Sequence, residues 1–285
     1  MSNASFPNLE KVLCLGVAGN FAGHLEQAGE TPDFVHVKTL NATAPKGLFP
    51  YYIPNHSGFL GQNPLSSTHI KYPEYLADNA HLQAEPEVCV LFNVSYRNNL
   101  ITTLTPEKFA AFNDCSIRKP GAKKISEKKN WGAETKGISE QFIALDQFDE
   151  GGELDAFNIA SFLKRDGKIH AYGKDSSVCT YSYFHQQLTD WMIDKLNTQE
   201  DFGPLEDLRA HIKTANYPQQ ILISLGATTY TKFGETVFLQ AGDELFFYVY
   251  DSTQNSAESI LEHAVQANKN IPPPINSSVL HQKII

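Results

Sequence analysis

Glu85-Pro86-Glu87-Val88-Cys89-Val90-Leu91-Phe92 opens an apolar run with two carboxylates, and the reading of this stretch decides the fold around it. The five apolar residues after Glu87 read as a buried strand. Acidic side chains rarely begin such a strand without a partner that neutralises them. In an extended chain, residues two apart share a face and lie roughly 6.6 to 6.8 Å apart along the backbone, so Glu85 and Glu87 can point at one cation. Pro86 favours this by biasing Glu85 towards the extended region.

A third acid stands in Phe112-Asn113-Asp114-Cys115-Ser116-Ile117-Arg118, a short, mainly uncharged segment between two basic stretches. Three carboxylates suit a hard divalent ion, magnesium or manganese, with calcium also accommodated, better than zinc, which prefers nitrogen and sulfur. Taken alone, Glu-x-Glu is read as readily as a pair on a solvated strand face.

The rest of the chain alternates short strand-like runs with Gly, Pro, Asn and Asp punctuation. Strands are expected over residues 11–15, 35–40, 88–94, 141–145, 168–172, 220–225 and 245–250, where β-branched, aliphatic and aromatic residues gather. Helices are expected over residues 21–28, 106–112 and 183–196, the last with apolar residues at helical spacing. That pattern predicts a β-rich α+β domain over residues 1–264, followed by an extended tail over 265–285 that contains Pro272-Pro273-Pro274 and reads as a mobile or surface arm. Residues 119–129 carry five lysines and read as a solvated loop or a lid.

Composition narrows the partners. With 285 residues a single large core is feasible. A net charge of -9, from 23 Lys and Arg against 32 Asp and Glu, argues against nucleic acid. No run approaches about 18 apolar residues and no basic leader precedes one, so no membrane partner and a cytoplasmic location are expected. Cys14, Cys89, Cys115 and Cys179 form no C-x-x-C and are read as reduced thiols. Gly16, Gly19 and Gly23 miss the G-x-G-x-x-G spacing of a pyrophosphate cradle, and the chain has neither a G-x-S-x-G elbow nor a phosphate-binding Gly-Lys-Ser/Thr loop.

The order of five elements resembles the fumarylacetoacetate hydrolase superfamily. They are Gly16-Val17-Ala18-Gly19-Asn20-Phe21-Ala22-Gly23-His24, Glu85-Pro86-Glu87, Asn113-Asp114-Cys115-Ser116-Ile117-Arg118, Trp131 with Lys136, and Ser224-Leu225-Gly226-Ala227 before Leu239-Gln240-Ala241-Gly242-Asp243-Glu244. The resemblance implies a mixed β-sheet roll with peripheral helices and a homodimer. It also implies a metal-dependent carbon-carbon bond hydrolase or lyase for an acylpyruvate or other small anionic 2-oxo or β-dicarbonyl acid. Isomerase, decarboxylase and non-catalytic members are alternatives, because one scaffold serves several chemistries. Glu85, Glu87 and Asp114 match the metal ligands, and Lys136 matches the lysine that holds a carbonyl or oxyanion by charge. Arg118 would brace Asp114 or orient a carboxylate, Gly226 would meet the substrate, and Asn113 and Ser116 would steady the Asp114 carboxylate. His24 is the candidate base, with His56 as second choice.

The departures from the pattern are specific. Lys119 stands where the family commonly has Asp, and Ala227 lacks a hydroxyl. Many relatives carry Glu three residues after the histidine, whereas here that place is Gln27 and the acid is Glu26. If this segment is helical, Glu26 turns away from His24. Gln27→Glu is then expected to raise turnover and Glu26→Gln to leave it unchanged.

Overall fold

The computed structural model describes residues 8–118, 122–267 and 271–285. Its strands are β1 (Leu13–Ala18), β2 (Gly47–Tyr52), β3 (Leu65–Ser66), β4 (His69–Ile70), β5 (Leu82–Gln83), β6 (Pro86–Arg97), β7 (Leu100–Asn113), β8 (Ser116–Ile117), β9 (Lys136–Ile138), β10 (Ile143–Ala144), β11 (Phe157–Arg165), β12 (Lys168–Ser177), β13 (Gln220–Ser224), β14 (Glu244–Asp251) and β15 (Ser277–Ile284). Its α-helices are α1 (His24–Gln27), α2 (Ser126–Lys129), α3 (His185–Thr198), α4 (Leu208–Thr214), α5 (Lys232–Thr236) and α6 (Ala257–Gln266). One mixed sheet runs β2-β1-β13-β6-β7-β9-β3 with β10 attached to β7, and a second runs β12-β11-β14-β15-β4. These curled, mixed sheets with few helices are the expected β-rich α+β class.

The β6–β7 hairpin organises the molecule. Asn98 and Asn99 join its strands with φ of 52° and 63°, the left-handed pair that a two-residue hairpin turn requires and that asparagine tolerates. From that turn the ladder runs unbroken in sense to Pro86 opposite Asn113 and Glu87 opposite Phe112. Val88, Val90 and Phe92 on one face join Phe157, Leu163 and Phe247 of the second sheet in the main core, while Cys89 and Leu91 on the other join Cys14 and Tyr51. Both faces being covered explains why this strand is a continuous apolar run instead of an alternating one.

Three expectations are corrected here. Residues 106–112, read as a helix, lie within β7, because Phe109, Ala110, Ala111 and Phe112 pair across to Val90, Cys89, Val88 and Glu87. Pro106 sits where the register shifts between Leu91 and Phe92, a bulge that tolerates the missing N–H. Residues 35–40 form no strand: Val35 and Leu40 are 72% and 83% exposed, and the partner of β1 is β2. The terminal arm is also wrong over β15, which pairs with β14 along its length and with β4 at its end. The strand buries Ser278, Leu280, Gln282 and Ile284 in alternation. Residues 141–145 keep only β10, and helix 21–28 shrinks to α1. All four cysteines are free thiols, and no described helix is long and apolar enough to cross a membrane.

Candidate metal and catalytic centre

Hairpin register brings the three acids together. Glu85 precedes β6 and Asp114 follows β7, and their main chains are tied by Asp114 N–H to Glu85 O at 3.0 Å. Asn113 Oδ1 accepts from Glu85 N at 3.1 Å, and Ser116 Oγ donates to Asp114 O at 2.9 Å. Asn113 and Ser116 therefore hold the main chain beside the acids, not the Asp114 carboxylate. Gln282 of β15 accepts from Asn113 Nδ2 at 3.0 Å, so the segment read as a tail steadies the site. Glu85, Glu87 and Asp114 are all buried and each offers a carboxylate oxygen within 4.8 Å of the others.

The loop after β13 supplies the next contact. Gly226 has φ of 116°, open to glycine and hostile to other residues, and its N–H donates to Glu87 Oε2 at 2.9 Å. Expected to meet substrate, Gly226 instead holds an acid. Burial, then Asp114 and Glu85, push the Glu87 carboxyl well above the usual carboxylate range. For Glu85 burial works the same way, but Lys129, Arg118 and His24 outweigh it and hold the carboxyl well below that range.

His24, the first residue of α1, reaches the centre at the end of the loop after β1. Asn20 pins that loop, donating to Tyr183 O at 3.0 Å and Leu225 O at 2.9 Å. The His24 Nδ1–H donates to Thr228 O at 3.0 Å, since a carbonyl can only accept. This leaves Nε2 as the free nitrogen of the neutral ring, 4.0 Å from Glu85 Oε2. Burial lowers the His24 pKa, with Glu85 pulling the other way. Glu26 is exposed on α1, in line with the expectation that a helical segment turns it from His24, and the acid near the His24 ring is Glu85. Gln27 is spent on Tyr230, accepting from its N–H at 2.8 Å and donating to its carbonyl at 3.3 Å. His56 serves its own turn, accepting from Gly58 N–H at 2.9 Å.

Sequence reasoning named Arg118 and Lys136 but missed Lys128 and Lys129 as part of the site. Lys129, at the end of α2, is buried with its Nζ 2.7 Å from Glu85 Oε2 and 2.5 Å from Asp114 Oδ2. Glu30 is the second omission: Arg118 and Lys128 both reach its Oε1 at 2.9 Å, and Lys128 also meets Asp33 at 2.8 Å. Arg118 further binds Gln83, Tyr230 and Glu85, so it braces the site. Lys136 contacts Asp114 Oδ1 at 3.0 Å and donates to Cys115 O. Burial lowers its pKa against the pull of Asp114.

Residues 119–121 of the lysine-rich stretch, Lys119 among them, lie outside the described residues. Its remainder is no solvated loop, since Lys128 and Lys129 are buried and Lys124 is tied to Asp201 at 2.8 Å. His24, Glu30, Glu85, Glu87, Asp114 and Lys129 face a cavity of about 20 Å³, room for about one water. Lys136 and Arg118 do not line it, so the ammonium that faces the cavity is that of Lys129.

The donor set fits a hard divalent ion. The three buried carboxylates offer only oxygen donors, within 4.8 Å of one another, the set that a hard divalent ion takes, and here Lys129 neutralises Glu85 Oε2 and Asp114 Oδ2 while Arg118 and Lys136 neutralise Glu85 Oε1 and Asp114 Oδ1. Folds of this kind are found in solved structures. The protein Cg1458, crystallised with an inhibitor, is 14% identical, with 99% of this chain and 78% of that chain covered at a TM-score of 0.54. A 2-keto-3-deoxy-D-arabinonate dehydratase complexed with magnesium and 2,5-dioxopentanoate is 13% identical over 100% of this chain and 82% of its own, at 0.51. A fumarylacetoacetate hydrolase from the psychrophile Exiguobacterium antarcticum is 13% identical over 98% and 76%, at 0.50. The fold is thus the one these fumarylacetoacetate hydrolase-type structures share. By sequence the chain belongs to DUF5718, a family of unknown function, whose model matches residues 30–284. No curated protein matches it.

Proposed function

We propose that Glu85, Glu87 and Asp114 hold a magnesium or manganese ion and that the chain cleaves a carbon-carbon bond in a small anionic 2-oxo or β-dicarbonyl acid by hydrolysis. The observation that carries this reading is the convergence of three buried carboxylates within 4.8 Å at the mouth of the β6–β7 hairpin. A divalent ion bound there supplies an electrophile that polarises a carbonyl.

The chain's own groups have separable tasks. His24, fixed as the Nδ1–H tautomer by Thr228 O, presents a neutral Nε2 able to take a proton from water. Charge selects the ligand: Glu30, Asp33, Glu85 and Asp114 meet Arg118, Lys128, Lys129 and Lys136, four acids against four bases, while burial and the neighbouring acids push the Glu87 carboxyl towards its neutral form. A dication added to that balance calls for an anion, as a 2-oxo acid is. The small cavity requires the cover formed by α1 and the segment through Asp33 to part from α2 before substrate enters. A cytoplasmic homodimer completes the proposal.

A lyase is the second reading, favoured because the neighbour that binds magnesium and 2,5-dioxopentanoate is a dehydratase. Incubation with Mn²⁺ and either an acylpyruvate or a 2-keto-3-deoxy sugar acid separates the two by product. Cleavage of the acylpyruvate, reduced about a hundredfold or more in His24→Asn, is the expected result. Turnover that survives His24→Asn, or that ignores chelation, contradicts the reading.

A further inference from the structure

Lys129 occupies the point at which the acids converge. Its ammonium shares Glu85 Oε2 and Asp114 Oδ2, at 2.7 and 2.5 Å, and so holds two of the three acids of the cluster, leaving only Glu87 without it. A divalent ion bound through the same oxygens would lie about 2.0 to 2.6 Å from each, and two cations that close repel strongly in a buried site. We infer that Lys129 is an internal counter-ion that competes with the divalent ion for Glu85 and Asp114, so that metal loading displaces its ammonium and the exchange sets the metal affinity of this chain.

The surroundings make Lys129 the lysine that moves. Its main chain is anchored through the neighbouring Asn130, which donates to Tyr51 O at 2.7 Å and Gln62 O at 3.0 Å, so the flexible four-carbon stem is what can swing. The Phe49 ring, 5.1 Å from Nζ, offers the displaced charge an aromatic face. Lys136 has no such freedom, being fully buried and bound to both Asp114 and Cys115 O. Once Lys129 leaves, Arg118 still faces Glu85 and Lys136 still faces Asp114, which keeps the carboxylates in place.

The inference rests on the metal reading above, and Mn²⁺ binding to the full chain separates the two. Calorimetry and electron paramagnetic resonance on the parent, Lys129→Met, Lys129→Arg and Asp114→Asn form the test, with the melting temperature of each recorded with and without Mn²⁺. Lys129→Met is expected to bind Mn²⁺ about tenfold or more tighter than the parent, with a larger thermal shift, while Lys129→Arg stays near the parent. Should Lys129→Met fail to fold without metal, Lys129→Gln, which keeps a donor but no charge, is held to the same expectation. Equal or weaker binding in the neutral variants, with the parent binding and Asp114→Asn not, overturns the competition and leaves the metal centre standing. Absence of Mn²⁺ binding in both the parent and the neutral variants overturns both.

Discussion

Glu85 and Asp114 stand at the paired ends of the β6–β7 ladder, whose longer strand has 14 residues, whereas Lys128 and Lys129 reach the same point from α2, a helix of four. The acids are set by main-chain hydrogen bonds that exist whatever the side chain is. The bases have little local structure and are held by the acids they meet. The difference teaches that this centre has a rigid negative half and an adaptable positive half, and substitutions on the two sides should break it differently.

Asp114→Ala should have the largest effect. It removes the partner of two buried lysines, at a cost of about 3 to 5 kcal/mol, and should weaken Mn²⁺ binding by about a hundredfold or more, the scale of losing a required ligand group. Denaturant unfolding and calorimetry check both parts.

Glu30→Gln probes the adaptable half. Burial opposes the Glu30 charge, but Arg118, Lys128 and Lys129 outweigh it and hold the carboxyl at about 2, below its ordinary 4.5. A depressed carboxylate contributes stability that is complete above its unfolded pKa and lost as pH falls through the folded one. The parent should exceed Glu30→Gln by about 3 kcal/mol at neutral pH, with the gap narrowing as pH drops from 4.5 towards 2. Unfolding curves at stepped pH show it, and a gap that stays constant would remove Glu30 from the network.

Gly226→Ala sharpens the rigid side. A Cβ there would meet Asn20 Cβ at 3.2 Å on a backbone with φ of +116°, so a loss of about 1 to 3 kcal/mol is expected, read as a lowered Tm. Gln27→Glu revises the expectation from sequence: a carboxylate cannot donate to Tyr230 O, so a fall of about 1 to 2 kcal/mol in stability and no gain in turnover are expected. Glu26→Gln is the smallest change. Its side chain is exposed, and stability within about 0.5 kcal/mol of the parent with unaltered turnover is the expected outcome in parallel assays.

This asymmetry also governs what could be read in advance. Glu85, Glu87 and Asp114 were legible because each adjoins an apolar run whose pairing fixes its place, and His24 because the motif order pointed to it. Asn98-Asn99 was a readable turn signal that would have joined β6 to β7 and removed the false helix over 106–112, where Ala110 and Ala111 suit a helix locally but pairing with β6 overrides propensity. Lys129 and Glu30 were hidden because charged residues in a polar stretch normally face water, and here α2 packs against β2 and β8 and brings Lys128 onto Glu30. Ile125 and Trp131, bracketing the lysines, were the available hint that this stretch has an inward side. β15 carried its signal in the alternation of Ser278, Leu280, Gln282 and Ile284, weak because two of the four inward residues are polar.

Anomalous diffraction from crystals soaked in Mn²⁺ tests the central claim most directly, since it places the ion without reference to any substrate. The account predicts one strong peak bounded by oxygens of Glu85, Glu87 and Asp114 at about 2.0 to 2.6 Å, with the Lys129 ammonium withdrawn from Glu85 and Asp114. No peak at that point under saturating Mn²⁺, with Lys129 still bridging the two carboxylates, would contradict it.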